Sequence, residues 1–532
     1  MRGCVRNLSL AVLSGILLSA SWGRFAFNIF FALVPLLWIE YDFRNSSVRF
    51  HKLKLFGLFY VAFVLWNLLT TWWIVNSTGF GAFMAIFCNA LFMALVGMAF
   101  HALARKTKTV FGYSALIAFW ISFEYLHYNW ELAWPWLTLG NSLATRPAWI
   151  QWYEFTGVFG GSLWILLSNI FIFLALKKIA QKKNVIKFSA VASGIIFLPL
   201  IASEIIYSSY REKGQPVKVV IVQPNVDPYH DKFNGTGAEQ LAKILQLAST
   251  VADSTTDYII APETALPDGI WEENFSPDRN ISTIHSFLTT FPKAAFITGA
   301  STFHAFAKTE KRSATARKFK DADDYYDAYN TALQISQDAS IQVYHKSKLV
   351  PGVERMPYPA LFGFLDKYSI DMGGISGSLG TQDERSVFTH HLHKAAPVIC
   401  YESIFGDFLS GYVRNGAGMF FIVTNDGWWG NTAGHRQHLA YASLCAIEFR
   451  KSIARSANTG ISCTVNQRGD IQNATHWWKE DVFPVTISEN NLQTFYSLHG
   501  DYIAEILLCV SAVVILLKIF GVKFILQNLG GG

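Results

Sequence analysis

Three residues of this chain have types and settings suited to covalent chemistry on a carbonyl: Glu263, Lys346 and Cys400. Glu263 follows Tyr258-Ile259-Ile260-Ala261-Pro262, Lys346 follows Tyr344-His345, and Cys400 ends the apolar stretch Pro397–Cys400. Each sits at or just beyond the end of a predicted strand, where ligands and catalytic groups gather in α/β folds. Taken singly, each has a plain structural reading. A cysteine after an apolar strand is a small core residue, a glutamate after proline is a first-turn acid, and a lysine among basic neighbours is a solvated cation. Their joint setting is what points to chemistry. A thiol is mostly protonated at neutral pH and must be activated before it attacks.

The elements that must position them lie between residues 211 and 500. Val217–Gln223 and Tyr258–Ala261 are β-branched or apolar runs that read as buried strands. Ala294–Thr302, Ala332–Tyr344 and Met419–Thr424 read likewise, and Arg455–Val465 as a strand pair turning at Asn458-Thr459-Gly460. Gly237–Val251 and His438–Arg450 carry helical spacing, which makes this an α/β domain with helices covering sheets. Lys308–Asp327 reads as a charged, solvated loop. His390-His391-Leu392-His393 reads as a surface strand with His391 and His393 on one face; no acidic or cysteine partner stands at metal-binding spacing, and no metal is expected.

The rest of the chain is different in kind. Of 532 residues, 51% are hydrophobic and 15% charged, against about 25% charged in a soluble protein; the mean hydropathy is +0.25. Apolar runs near spanning length occur at Leu8–Trp22, Phe25–Tyr41, Leu55–Val75, Gly81–Leu103, Tyr113–His127, Gln151–Leu176, Phe188–Tyr207 and Tyr502–Phe520. The division expected is a seven-helix membrane domain over 1–210, a polar domain over 211–500, and an eighth span with its tail over 501–532. Basic residues gather before the first run (Arg2, Arg6) and after the second, fourth, sixth and eighth. That places both termini in the cytoplasm and residues 211–500 on the opposite side. The net charge of +6 gives no argument for nucleic acid. Of the six cysteines, three (Cys400, Cys445, Cys463) lie in the polar middle, so at least one is unpaired within the chain.

Over about Val217 to Glu489 the sequence resembles the nitrilase, or carbon–nitrogen hydrolase, superfamily. The matching pieces are Pro262-Glu263, Lys346 with Leu349-Val350-Pro351 and Glu354, Cys400-Tyr401-Glu402, Val423-Thr424-Asn425-Asp426-Gly427-Trp428-Trp429, and Arg455-Ser456-Ala457-Asn458-Thr459-Gly460. With the spans before and after, and with Val222-Gln223-Pro224-Asn225 and Pro135-Trp136-Leu137-Thr138-Leu139-Gly140, the whole chain resembles the bacterial apolipoprotein N-acyltransferase family. The resemblance implies an α-β-β-α sandwich on the periplasmic side of the inner membrane. It implies Glu263 as general base, Lys346 as the oxyanion's cation and Cys400 as nucleophile. It implies Glu354 and Glu402 as orienting Lys346 and holding the acceptor amine, although Glu402 can equally bond backbone groups at the next helix start. Asn425, Trp428 and Trp429 would line the site mouth, with core packing as the alternative for the two tryptophans. The reaction implied moves an acyl chain from a phospholipid, phosphatidylethanolamine foremost, through a Cys400 thioester. Its acceptor is the α-amine of a diacylglyceryl apolipoprotein, and it needs no cofactor; a monomer is expected. Two departures stand out: Ala261 replaces the family's tryptophan before Pro-Glu, and Gly352-Val353-Glu354 replaces Phe-Gly-Glu.

Met356–Leu365 is apolar for a loop on a water-facing domain. Tyr358, Leu361, Phe362 and Phe364 would guide acyl chains to Cys400 from the outer leaflet, with a buried packing loop as the equal alternative. A membrane-tethered amidase acting on a small substrate shares the same three residues and is the competing function. Seven preceding spans favour the lipid-dependent reaction, since one span would tether a hydrolase. A transporter bundle with an appended domain would carry charged groups within its spans, where only isolated acids such as Glu124 and Glu204 occur.

Overall fold

Among the described residues of the computed structural model, eight helices are long and apolar enough to cross a membrane: Gly3–Ala20, Ala26–Arg44, His51–Asn76, Gly79–Ala104, Thr109–Asn129, Tyr153–Ala180, Ile186–Ser209 and Tyr502–Ile519. Residues 2–44, 46, 49–229, 236–337, 340–358 and 378–519 are described. The short first and fifth runs extend into helices of 18 and 21 residues, because flanking polar residues continue the helix. Helices suit a hydrocarbon setting because every backbone hydrogen bond closes within the segment. The chain divides into two units: Met1–Val75, Gly79–Ser209 and His499–Gly532 form one, and Asn76–Thr78 with Tyr210–Leu498 form the other.

Within the helical unit, buried polar side chains tie the breaks between helices. Asn169 donates to the Ile29 carbonyl and accepts from the Leu33 N–H, both at 2.8 Å, where the chain turns into the second apolar helix. Glu124 accepts from Trp120 and from the Leu139 N–H, anchoring the segment that contains Pro135–Gly140. Gly140 is required there, since a Cβ would lie 2.1 Å from the Val158 carbonyl oxygen. Glu40, not singled out in the sequence, is fully buried between Arg44 and His101.

Among its described residues the second unit holds fourteen strands in two sheets. In the first, β1 (Gln215–Gln223) lies between β14 (Asp481–Glu489) and β2 (Tyr258–Ile260). β4 (Ala295–Ala305) follows β2, then β6 (Tyr325–Ile335) and β5 (Arg317–Lys318); β3 (Leu266–Trp271) pairs with β4, and β7 (Gln342–His345) with β6. The second runs from β13 (Ile471–Gln472) through β12 (Cys463–Val465), β11 (Ser452–Ala457), β10 (Met419–Thr424) and β9 (His393–Ile399) to β8 (Phe388–His390).

The period-2 alternation of strand side chains decides the layering. Val219 and Ile221 of β1 enter the same buried cluster as Val398 of β9, Phe421 of β10 and Ile453 of β11, so the two sheets face one another. Val220 and Val222 point the other way, against Leu241 and Ile244 of helix Gly237–Ser249 and Ile281 and Ile284 of helix Arg279–Leu288. Helices Gly406–Arg414 and Ala433–Phe449 pack on the second sheet through Leu409, Tyr412, Leu439 and Phe449. The result is an α-β-β-α sandwich. Helix Gly237–Ser249 starts on a capping box, Thr236 with Glu239.

Three sequence expectations change here. Ala332–Tyr344 is not one strand; β6 and β7 pair antiparallel around it, because Ser336-Gln337 ends the apolar run. The charged stretch Lys308–Asp327 is not all loop, since it contains β5 and the first residues of β6. The histidine run is a tight hairpin between β8 and β9. His391 takes a left-handed backbone (φ 51°), so His391 and His393 do not continue one strand face. His393 instead pairs with Glu489 at 2.6 Å, and the His390 ring bonds the Lys293 carbonyl.

Candidate active site

Three strand ends deliver the three residues. Glu263 follows β2 by three positions, Lys346 follows β7 directly, and Cys400 follows β9 directly. The turn after β2 passes close to β4: a Cβ on Gly299 would stand 2.6 Å from the Glu263 Cα, so glycine is needed there. Cys400 adopts a left-handed backbone, φ 49°, at a cost of about 1–2 kcal/mol for a residue with a side chain. Cys400 remains buried there, at the edge of the cluster that fills the space between the sheets.

Lys346 is almost wholly buried, and its ammonium donates to Glu263 Oε1 at 3.1 Å and to Glu354 Oε1 at 2.7 Å. Asn330 of β6 joins the same two acids, donating from Nδ2 at 2.9 and 3.1 Å. Its backbone carbonyl also receives the Lys346 N–H at 2.8 Å. Burial works to neutralise Lys346, but Glu263, Glu354 and Cys400 together hold its pKa well above the ordinary lysine range, so the cation is permanent. Burial and then the Glu263 charge push the Cys400 thiol well above its ordinary value, against the pull of Lys346. At neutral pH Cys400 is therefore a thiol, and any attack by it on a carbonyl would require its proton to leave.

Glu402 is fully buried and has a bracing task. Its Oε1 accepts from the Tyr344 hydroxyl at 2.6 Å and the Ser347 N–H at 2.7 Å, and its Oε2 from the Ile399 N–H at 2.9 Å. Those bonds tie the turn that carries Lys346 to the turn that carries Cys400. Backbone anchoring, one of the two readings open from sequence, is what its geometry displays; Glu354 makes the direct contact with Lys346. Asn425 is buried, and its Nδ2 has no hydrogen-bond partner among the described residues. Trp428 and Trp429 are half-buried; Trp428 stacks edge-on with Tyr229 and Trp429 with His438. Tyr358 is exposed, while Leu361, Phe362 and Phe364 lie outside the described residues.

Cys400 also belongs to a second cluster. The thiol, an Asp426 oxygen and a His438 nitrogen fall within 4.8 Å of one another, a spacing a metal ion can use. The donors do not fit one. Asp426 is already bonded by Thr424 at 2.8 Å and by the Arg455 guanidinium at 2.6 Å, and Arg455 and Lys346 would both repel a dication. Burial opposes the Asp426 charge, yet Arg455 and His438 hold that carboxyl well below the usual range. Asn330 and His438 were not picked out as site residues from sequence. Asn330 sits mid-strand and His438 on a buried helix, and no local pattern marks which distant residue either one meets.

Comparison with known proteins places both units. Residues 14–171 match the apolipoprotein N-acyltransferase N-terminal domain, and residues 218–496 match the carbon-nitrogen hydrolase family. An apolipoprotein N-acyltransferase of Chlorobaculum tepidum is 30% identical over 527 residues, covering 95% of each chain. One from Geobacter metallireducens is 27% identical, covering 96% of this chain and 94% of the relative. Among solved structures, Nit3 of Saccharomyces cerevisiae, a nitrilase superfamily member, aligns with 54% of this chain and 93% of its own at 13% identity, TM-score 0.36. The likeness to the bacterial relatives runs through the apolar helices as well as the sandwich, and on that span the chain belongs to the apolipoprotein N-acyltransferase family.

Proposed function

We propose that this chain moves an acyl group from a phospholipid to the α-amine of an S-diacylglyceryl cysteine at the N-terminus of an apolipoprotein, through a thioester on Cys400. The observation that carries the reading is the buried Lys346 ion pair with Glu263 and Glu354, set beside a thiol whose proton is tightly held. Glu263 takes the thiol proton as Sγ attacks the ester carbonyl. Lys346 balances the oxyanion. Collapse expels the lysophospholipid alkoxide, which leaves with the proton from Glu263, and the thioester remains. The amine then attacks and yields its proton to Glu263. The second collapse forms the amide, and the departing thiolate recovers that proton. A site closed to water lets the amine compete with hydrolysis. The buried Asn425 amide has donor capacity for a substrate carbonyl.

The membrane helices bring the lipid donor to the enzyme in this reading. The basic ends of alternate spans support cytoplasmic termini and a periplasmic α/β unit in a bacterial inner membrane. The deciding experiment incubates the purified protein with acyl-labelled phosphatidylethanolamine and then adds a diacylglyceryl peptide. Label is expected on Cys400 and then on the peptide amine. Label that passes only to water would instead indicate the amidase-like reading.

A further inference from the structure

The cluster behind Cys400 has no part in the proton transfers above, yet it grips the nucleophile's backbone. The Cys400 carbonyl oxygen accepts from the Ser403 hydroxyl at 2.7 Å and lies 3.2 Å from His438 Nε2. A carbonyl and an ionised carboxylate can only accept, so the contacts to the Cys400 carbonyl and to Asp426 together require a hydrogen on each ring nitrogen. The far side of the ring is fixed as well: Nδ1 lies 3.0 Å from Asp426 Oδ1, and Arg455 holds the other Asp426 oxygen at 2.6 Å. His438, Asp426 and Arg455 are all at most 1% exposed. The Cys400–Tyr401 peptide is planar and trans, so its N–H points opposite to its C=O. Pinning the carbonyl toward His438 and Ser403 aims the Tyr401 N–H the other way.

We propose that His438 is a positioning residue: with Ser403 it locks the Cys400–Tyr401 peptide so that the Tyr401 N–H donates to the oxyanion formed at the thiol, opposite the Lys346 ammonium. This rests on Cys400 being the acyl-accepting nucleophile. Cys400 holds a left-handed backbone, and the two bonds to its carbonyl fix the ψ torsion that would otherwise let the Cys400–Tyr401 peptide turn. Asp426 and Arg455 act one step further back by fixing the ring.

The test separates an oxyanion effect from a general one. Alkylation of Cys400 by iodoacetamide passes through no tetrahedral oxyanion, whereas acylation does. In the full-length purified protein, Cys400 acylation is followed with p-nitrophenyl acetate and with labelled phosphatidylethanolamine, and alkylation is followed in parallel by mass spectrometry. For His438→Ala, acylation by both donors should fall roughly 10–100-fold, with alkylation within about twofold of wild type. His438→Gln retains an N–H donor and should recover most of the loss. Ser403→Ala removes the second bond to the same carbonyl and should shift the acylation-to-alkylation ratio in the same direction. An unchanged ratio in either alanine variant, or equal losses in both reactions, overturns the proposal. A wild-type enzyme acylated by p-nitrophenyl acetate but never by the phospholipid overturns the lipid-donor reading alone and leaves the ratio test in force.

Discussion

The Lys346 ammonium donates to the Glu263 carboxylate at 3.1 Å although 83 positions separate them in the chain. Lys346→Met removes the cation from two acids at once. The oxyanion loses its charge partner, and kcat should fall about 10²–10³-fold with KM little changed. Breaking a buried pair also leaves Glu263 uncompensated, at about 3 kcal/mol of stability. Steady-state acyl transfer and denaturant titration read the two effects separately.

Glu263→Gln should have opposite effects on two properties of Cys400. The Glu263 charge raises the thiol pKa after burial does, and Lys346 lowers it. Removing the anion therefore lowers the thiol pKa, so at any fixed pH below it alkylation by iodoacetamide becomes faster. Acyl transfer should fall about 10²–10⁴-fold, because the proposed base is gone. Slower alkylation in Glu263→Gln would contradict the electrostatic account.

Cys400→Ala should form no acyl-enzyme. Cys445 and Cys463 are buried cysteines in a helix and in β12, and alanine at either should leave acylation within about threefold of wild type. Mass spectrometry after incubation with labelled phospholipid distinguishes the three.

Glu402→Ala should act through structure. It strips acceptors from the Tyr344 hydroxyl and the Ser347 and Ile399 N–H groups, at about 1–3 kcal/mol for each buried donor left unpaired. The unfolding midpoint should drop sharply. A midpoint equal to wild type would remove Glu402 from its bracing role.

Sidedness has its own measurement. An alkaline phosphatase fusion near residue 300 should be active, since that enzyme needs an oxidising compartment, and the same fusion after Lys182 should be inactive. The reverse pattern would sink the proposed topology.

What the sequence determined by itself was whatever local pattern encodes. Apolar runs of spanning length marked the eight helices, since hydrocarbon demands internally bonded backbone. β-branched runs ending at Pro262-Glu263, Tyr344-His345 and Ile399 marked strand ends, and those ends hold the three candidate residues. The tertiary structure decided everything set by contact between distant segments. Asn330 became the link between Glu263 and Glu354 because β6 pairs with both β4 and β7. Glu402 became a brace because the turns after β7 and β9 meet across the sandwich. His438 came to rest behind Cys400 because helix Ala433–Phe449 packs on the second sheet. Helical and strand periods follow from bonds within a few residues; which side chains meet across 83 positions is decided only when β2, β4, β6 and β7 pair side by side in one sheet.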